Sequence, residues 1–235
     1  MNLNKLVILF TVLFLGCKTE EPKNTPPIVI PSIKVVETSL VEVKSKTGRI
    51  WMDRNLGASQ VATSQTDEKA YGDLYQWGRL ADGHQLRNSA TTTTVSNTDV
   101  PLNSSFIAPI SIPYDWRSPT NKNLWQGVNG INNVCPAGFR LPTNEEWRLE
   151  ISTWNSNNAA GAFASPLKLP LAGNRWSSKV DSVGLIGKYW SSTNSGGSKE
   201  GEALFANFIN LQISYLDSRY YTSPLAGHTV RCIKD

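Results

Sequence analysis

Apolar residues crowd the start of the chain and then thin out. Residues 6–15 form an apolar run in which Thr11 is the sole polar member, with Lys5 just ahead of it. Ten residues of helix span about half a bilayer core, so the run reads as the h-region of a signal sequence and not as a membrane anchor. Residues 18–34 turn polar at once and carry Pro22, Pro26, Pro27 and Pro31. Proline at that density blocks helix and favours an extended tether, at about 3.1 Å per residue. The organisation expected is a signal peptide over residues 1–16, a tether over 17–34 and one domain over 35–235.

Within the domain the pattern favours short strands, turns and one or two short helices. Residues 35–43 are β-branched and partly alternating, and residues 48–52 follow as a second strand. Tyr71, Leu74, Tyr75 and Trp77 are spaced so that a helix over 70–80 would carry most of them on one face, despite Gly72. Thr143-Asn144-Glu145-Glu146 is a capping box behind Pro142, and Trp147, Leu149, Ile151 and Trp154 give the helix after it an apolar side. Residues 89–123 are rich in Thr, Ser, Asn and Pro and predict a long excursion of loops. Three antiparallel strands are expected from 189–193, 203–208 and 212–221 onward, the last segment, 229–233, being pinned back by a disulfide. The layout is α+β, with the ends of the domain close together. No internal repeat is present.

Composition narrows the function more than it names it. The 235 residues hold 23 Lys and Arg against 19 Asp and Glu, a net charge of +4, well short of a nucleic-acid binder. Two histidines leave little material for a His-based metal or acid–base centre, and eight Trp and seven Tyr beside 17 Gly and 13 Pro predict a loop-rich fold held by large rings. Of three cysteines, Cys17 closes the signal region, leaving Cys135 and Cys232. In an exported chain an even pair reads as a disulfide. It would close a loop of about 97 residues, worth about 4–5 kcal/mol on the chain-entropy account. The competing reading, a nucleophilic Cys135, finds no recognisable histidine context at His84 or His228.

Leu13-Phe14-Leu15-Gly16-Cys17 resembles the lipobox of bacterial lipoproteins, which implies a diacylated Cys17 anchored in the outer membrane. Lys18 resembles an export-compatible residue after the cysteine, and Glu20-Glu21 resembles the acidic signal for the cell surface, though a solvated linker reads the same. Five blocks further on are similar to the Fibrobacter succinogenes major paralogous domain: Gly48-Arg49-Ile50-Trp51-Met52-Asp53-Arg54-Asn55-Leu56-Gly57, Tyr71-Gly72-Asp73-Leu74-Tyr75-Gln76-Trp77-Gly78-Arg79, Cys135-Pro136-Ala137-Gly138-Phe139-Arg140-Leu141-Pro142-Thr143, Tyr189-Trp190-Ser191-Ser192-Thr193 and Val230-Arg231-Cys232-Ile233-Lys234-Asp235. They occur in order across residues 48–235. The resemblance implies a C-type-lectin-like fold of short antiparallel sheets, two short helices and long loops, on a secreted or lipid-anchored surface protein.

Sugar-binding C-type lectins hold calcium with a Glu-Pro-Asn or Gln-Pro-Asp triplet and a Trp-Asn-Asp, oxygen ligands suited to a hard cation. This chain has neither triplet, and Trp154-Asn155-Ser156 lacks the carboxylate. No cofactor and no metal-ligand set is therefore expected, with a structural calcium in a loop as the remaining place for an ion. No catalytic residue is expected either: there is no G-x-S-x-G elbow, no H-E-x-x-H, and Gly196-Gly197-Ser198-Lys199 lacks P-loop spacing. Capping accounts for Glu145 and Glu146.

The positive signal lies near the C-terminus. Residues 212–221 mix Tyr, Ser, Asp and Arg as antigen-binding loops do, because Tyr gives broad contact at low entropic cost and Ser adaptable hydrogen bonds. The expected ligand-binding residues are Tyr189, Asn207, Ser214, Tyr215, Asp217, Arg219, Tyr220 and Tyr221; the competing reading makes the tyrosines half-buried strand residues. Lectin-fold surface lipoproteins are targets of diversity-generating retroelements, and Asn207, Asn210, Ser214, Tyr215, Asp217, Ser218, Tyr220 and Tyr221 fit the residue palette those produce. Trp51, Trp77, Trp147 and Trp190 are expected in the core, and Trp116, Trp125 and Trp176 in exposed loops. Arg49, Arg54, Arg140 and Arg231 are expected to pin loops. The partners expected are a membrane, through the lipid, and a glycan or protein ligand, with no nucleic acid. An envelope assembly component is the second reading and an enzyme the third.

Overall fold

The computed structural model describes residues 38–111, 114–193, 203–207, 213–214 and 223–235, all in one compact unit. In chain order the elements are β1 (Glu42–Lys44), β2 (Ile50–Met52), β3 (Tyr75–Gln76), β4 (Thr91–Thr92), β5 (Phe106–Ile107), β6 (Phe139–Arg140), α1 (Asn144–Ser152), α2 (Ala159–Ala164), β7 (Asn174–Trp176), β8 (Lys179–Asp181), β9 (Ile186–Trp190), β10 (Ala203–Asn207), β11 (Ile213–Ser214), β12 (Gly227–His228) and β13 (Ile233–Lys234). Among the described residues the fold is α+β: two helices and three small antiparallel sheets, ordered β1-β2-β13-β6, β3-β12-β7-β8 and β11-β10-β9, with a short parallel pair β4-β5. No helix among the described residues is long and apolar enough to cross a membrane.

The first sheet joins the two ends of the described domain. Val43 pairs with Trp51 and Trp51 with Ile233, while Lys234 Nζ reaches Glu42 Oε1 at 2.7 Å. The disulfide Cys135–Cys232, with Cα atoms 5.9 Å apart, ties the strand-poor stretch before β6 to the start of β13. It removes the nucleophilic reading of Cys135, whose sulfur is already bonded. At α1 the capping box forms as expected: Glu146 N donates to Thr143 Oγ1 at 3.2 Å and Thr143 N to Glu146 Oε2 at 2.8 Å. Arg140 and Arg49 both donate to the same Glu146 carboxylate.

Two expectations from periodicity fail. There is no helix over 70–80: a single 3₁₀ turn at Glu68–Ala70 gives way to β3. Gly72 has φ +67, and a Cβ there would lie 2.3 Å from Leu56 O, so the chain leaves helical space where it passes the backbone of 55–57. Tyr71, Leu74, Tyr75 and Trp77 are all buried, but by packing on every side of an extended segment and not by one helical face. The C-terminal strands also divide. β9, β10 and β11 make one sheet, whereas of the expected strand over 229–233 only Ile233 lies in a strand, β13 of the first sheet, and Thr229 makes only an isolated bridge to Tyr189. Of the expected strand over 35–43, residues 35–37 lie outside the described residues, 38–41 belong to no strand although Val41 O accepts from Asp53 N at 2.9 Å, and 42–43 belong to β1.

The core is a stack of indoles. Trp51 and Trp147 lie 4.8 Å apart, Trp77 and Trp125 5.7 Å, Trp125 and Trp190 6.5 Å. Trp116 and Trp125 correct the loop expectation: both are fully buried, and Trp116 Nε1 donates to Trp77 O at 2.7 Å. The excursion over 89–123 is thus folded down upon β3, with Phe106 and Ile107 in the core. The four named arginines pin loops as expected. Arg54 meets Asp53, Arg140 meets Glu146 and Asp235, Arg49 meets Glu146 and Lys234 O, and Arg231 donates to Asn55 Oδ1 and Leu167 O.

Candidate functional site

The sheet β9-β10-β11 carries the part of the expected site that the structure describes. Its inner strand is fixed by the core. Trp190 Nε1 donates to Tyr75 O at 2.7 Å, Trp77 Nε1 to Ser191 O at 3.0 Å and Trp147 Nε1 to Trp190 O at 3.2 Å. Trp190 N donates to Thr229 O at 2.9 Å and Thr229 N to Lys188 O at 3.0 Å, which locks β9 to the residues following β12. β10 pairs with β9 over five residues, from Ala203 opposite Trp190 to Asn207 opposite Ile186. β11 lies at the edge, with Ser214 opposite Phe205. Asn207 therefore ends the middle strand and Ser214 sits on the outer one. Tyr215, Asp217, Arg219, Tyr220 and Tyr221, like Cys17, lie outside the described residues.

Tyr189 is a correction. It has no exposed surface, and its hydroxyl donates to Pro170 O. Packing in the β9 core, 5.9 Å from Trp147, places it beyond reach of a ligand, and burial pushes its phenol up. Its place beside Trp190, a residue expected in the core, was the available signal that it belongs to the core.

Both histidines are held by neighbours in the interior. His84 Nε2 accepts from Gln76 N at 3.0 Å, so its Nδ1 carries the proton given to Asp82 Oδ1 at 2.7 Å. Burial, with Arg79 close by, lowers its pKa to about 4. His228 lies 4.4 Å from Trp190, donates from Nδ1 to Gly227 O, and is pushed well below its ordinary value by burial and then by Lys188. Each ring is neutral at pH 7.

A cleft of about 510 Å³ lies beside the disulfide, between the entering segment Thr38, Ser39 and Leu40 and the residues Leu56, Tyr75 and Cys135. Its lining carries no charged side chain. Nearby, Asp73 presses against Gly57, whose φ is +81 and where a Cβ would lie 2.4 Å from the Asp73 Cγ. Among the described residues the Asp73 carboxyl meets no hydrogen-bond donor, and burial raises its pKa to about 6 against the opposing pull of Arg87. Among the described residues no group of three or more His, Cys, Asp or Glu stands together to hold a metal ion.

Two exposed aromatics complete the description. Tyr114, with φ +59 and 41% exposed, lies on the long excursion, and its carbonyl accepts from Ser223 Oγ where the described chain resumes after 222. That contact brings the excursion to the end of the stretch expected to bind ligand, a neighbour that sequence spacing gave no means of finding. Trp176, on the β7–β8 hairpin, is exposed as expected. Comparison with family profiles, with curated proteins and with solved structures finds no match for this chain.

Proposed function

We propose that this protein is a lipid-anchored envelope protein whose C-type-lectin-like domain recognises a glycan or protein at the cell surface without catalysis. The binding face in this reading runs from Asn207 and Ser214 through Tyr215, Asp217, Arg219, Tyr220 and Tyr221. One observation carries it: β11 is the outer strand of a sheet whose inner strand is fixed by three indole N–H donors. A rigid inner strand with an outer edge unpaired among the described residues is a means of presenting variable polar and aromatic residues at low entropic cost. The pairing of the described ends through β1, β2 and β13, with the disulfide just before α1, supports the lectin-like part. The lipobox-like Gly16-Cys17 and the proline-rich tether support the anchor.

A second reading, an assembly component packing on another envelope protein, is favoured by Leu102 and Ile131. Both are strongly exposed, and the Asn132 Nδ2 bond to Asp99 O brings their segments together.

The test is binding of the intact protein to a broad glycan array, with calcium and with chelator, beside a Tyr215→Ala, Tyr220→Ala, Tyr221→Ala variant. Chelator-resistant binding that the folded variant loses is the expected result. Binding that needs calcium would overturn the calcium-independent site. Binding that the triple variant retains would move the site off these residues.

A further inference from the structure

Seven of the eight tryptophans have at most 8% of their surface exposed; Trp176 has 52%. Leaving so large a ring in water forgoes about 2 kcal/mol of burial, so its position calls for an account. Trp176 ends β7, and β8 returns after a two-residue turn in which Ser177 takes φ +59. The register places Asn174 opposite Asp181 and Trp176 opposite Lys179, so all four share one face; Arg175 and Val180 point to the other. Along a strand, alternate side chains stand about 7 Å apart, and directly opposed ones about 5 Å. The face is thus an indole bordered by an amide, an ammonium and a carboxylate, over about the area of one or two sugar rings.

The hairpin is stiff. Arg175, buried on the inner face, donates to Ser89 Oγ at 2.7 Å, Ser89 O at 2.8 Å, Thr91 Oγ1 at 3.0 Å and Leu86 O at 3.2 Å, and its guanidinium stacks 4.3 Å from Phe106. It also donates to Ser177 O at 3.2 Å, which holds the turn itself. The polar groups of the outer face are uncommitted by comparison. Asn174 and Lys179 make no side-chain bond to a described residue, and Asp181 Oδ1 receives the neighbouring Ser182 N while its charge is felt by Lys188.

From this juxtaposition we infer a second binding site on the β7–β8 hairpin, in which a neutral hexopyranose stacks on the Trp176 indole while Asn174, Lys179 and Asp181 hydrogen-bond its hydroxyls. A sugar ring offers apolar C–H faces and a rim of hydroxyl groups, and the hairpin offers an aromatic plane and a rim of donors and acceptors. Lys179 and Asp181 on this face carry opposite charges, so the face presents no run of like charges for a polyanion. A protein-docking or membrane patch would want contiguous apolar neighbours, and the residues flanking Trp176 on this face are polar. The site is separate from the β10–β11 edge and stands or falls independently of it.

The experiment is titration of the intact ¹⁵N-labelled protein with cellohexaose, chitohexaose, maltohexaose and mannohexaose, in chelator, following the indole N–H signals. Trp176→Phe and Trp176→Ala variants assign the exposed indole, and because that ring is on the surface both are expected to fold. At least one saccharide is expected to shift the Trp176 signal selectively. Trp176→Ala should weaken that binding about tenfold or more, and Trp176→Phe only a few-fold. Binding should persist in the Tyr215, Tyr220, Tyr221 triple alanine variant, which separates this site from the C-terminal one. No shift from any of the four up to about 10 mM, a level at which even millimolar affinity is visible, would overturn the inference. So would binding that Trp176→Ala leaves intact.

Discussion

Replacing Asp73 by Asn is expected to stabilise the protein, and by an amount that depends on pH. The carboxyl is mostly buried against Gly57 with no donor among the described residues, and its pKa rises from 3.8 to about 6. A rise of that size means the ionised form costs the fold up to about 3 kcal/mol relative to the unfolded chain. Between pH 4 and pH 6 the folded state binds the proton that the unfolded state has lost, so this penalty grows as pH rises and is complete above about 6. His84 works the other way. With a folded pKa of about 4 against 6.5 in the open chain, it withdraws stability as pH falls through that interval. In the native protein the Asp73 and His84 trends oppose each other between pH 4 and pH 6, and His228, also held well below its ordinary value, adds to the histidine side. Asp73→Asn removes the Asp73 trend and leaves the others in place, so the variant should match the native protein near pH 4 and exceed it by about 2–3 kcal/mol at pH 7. Arg87 does not lose its footing in the exchange, because it donates to Gly72 O and Ala172 O and stacks 5.4 Å from Tyr71. Urea unfolding with the disulfide intact, at five pH values from 4 to 8, measures the difference. A variant less stable than the native chain at pH 7, or a gap that does not change with pH, would refute the reasoning.

Three further outcomes follow from the same contacts. Cys135→Ser with Cys232→Ser should lower stability by about 4–5 kcal/mol, since the bridge closes a separation of 97 residues; a calorimetric loss below about 1 kcal/mol would show that the crosslink does little. Thr143→Ala should cost about 1 kcal/mol, the usual worth of an N-cap, and Ser at the same position should restore it in thermal melts. Asn55→Ala should cost about 3–5 kcal/mol, because it strips the buried Arg231 guanidinium of its Oδ1 acceptor and leaves Ala70 O and Tyr71 O without the amide that serves them. Urea unfolding within 0.5 kcal/mol of the native value, an interval set by ordinary surface substitutions, would remove that network as a source of stability.

What was legible in the sequence was local or countable. The capping box needs only Thr143 and Glu146 three residues apart, the disulfide only the pair of cysteines left once Cys17 is set aside, and β2 only a turn glycine followed by Ile50, Trp51 and Met52. The failures arise where burial comes from distant segments. Tyr71, Leu74, Tyr75 and Trp77 imitate a helical stripe because the segment is buried on all sides, and periodicity cannot separate that case from an amphipathic face. Trp116 and Trp125 stand among Asn, Ser and Pro, yet each is covered by chain far away in sequence, which composition cannot show. Tyr189 was misplaced for the opposite reason: a Tyr in a Ser-rich stretch has binding chemistry, but its strand lies inside the sheet stack.

These failures share a cause that also bears on the proposed function. Regular ladders in this fold are two to five residues long, so backbone pairing alone cannot hold the loops. Side-chain donors take over that task. The indoles of Trp77, Trp116, Trp147 and Trp190 and the guanidinium groups of Arg79, Arg87, Arg175 and Arg231 all donate to carbonyls of segments remote in sequence. Each such bond satisfies a loop carbonyl that burial would otherwise penalise, and it anchors the loop at a point while leaving its outer residues unconstrained. A fold built in this way separates its stability from its surface. Residues beyond the anchored points, such as those on the outer face of the β7–β8 hairpin, are free to carry polar and aromatic groups that packing does not require.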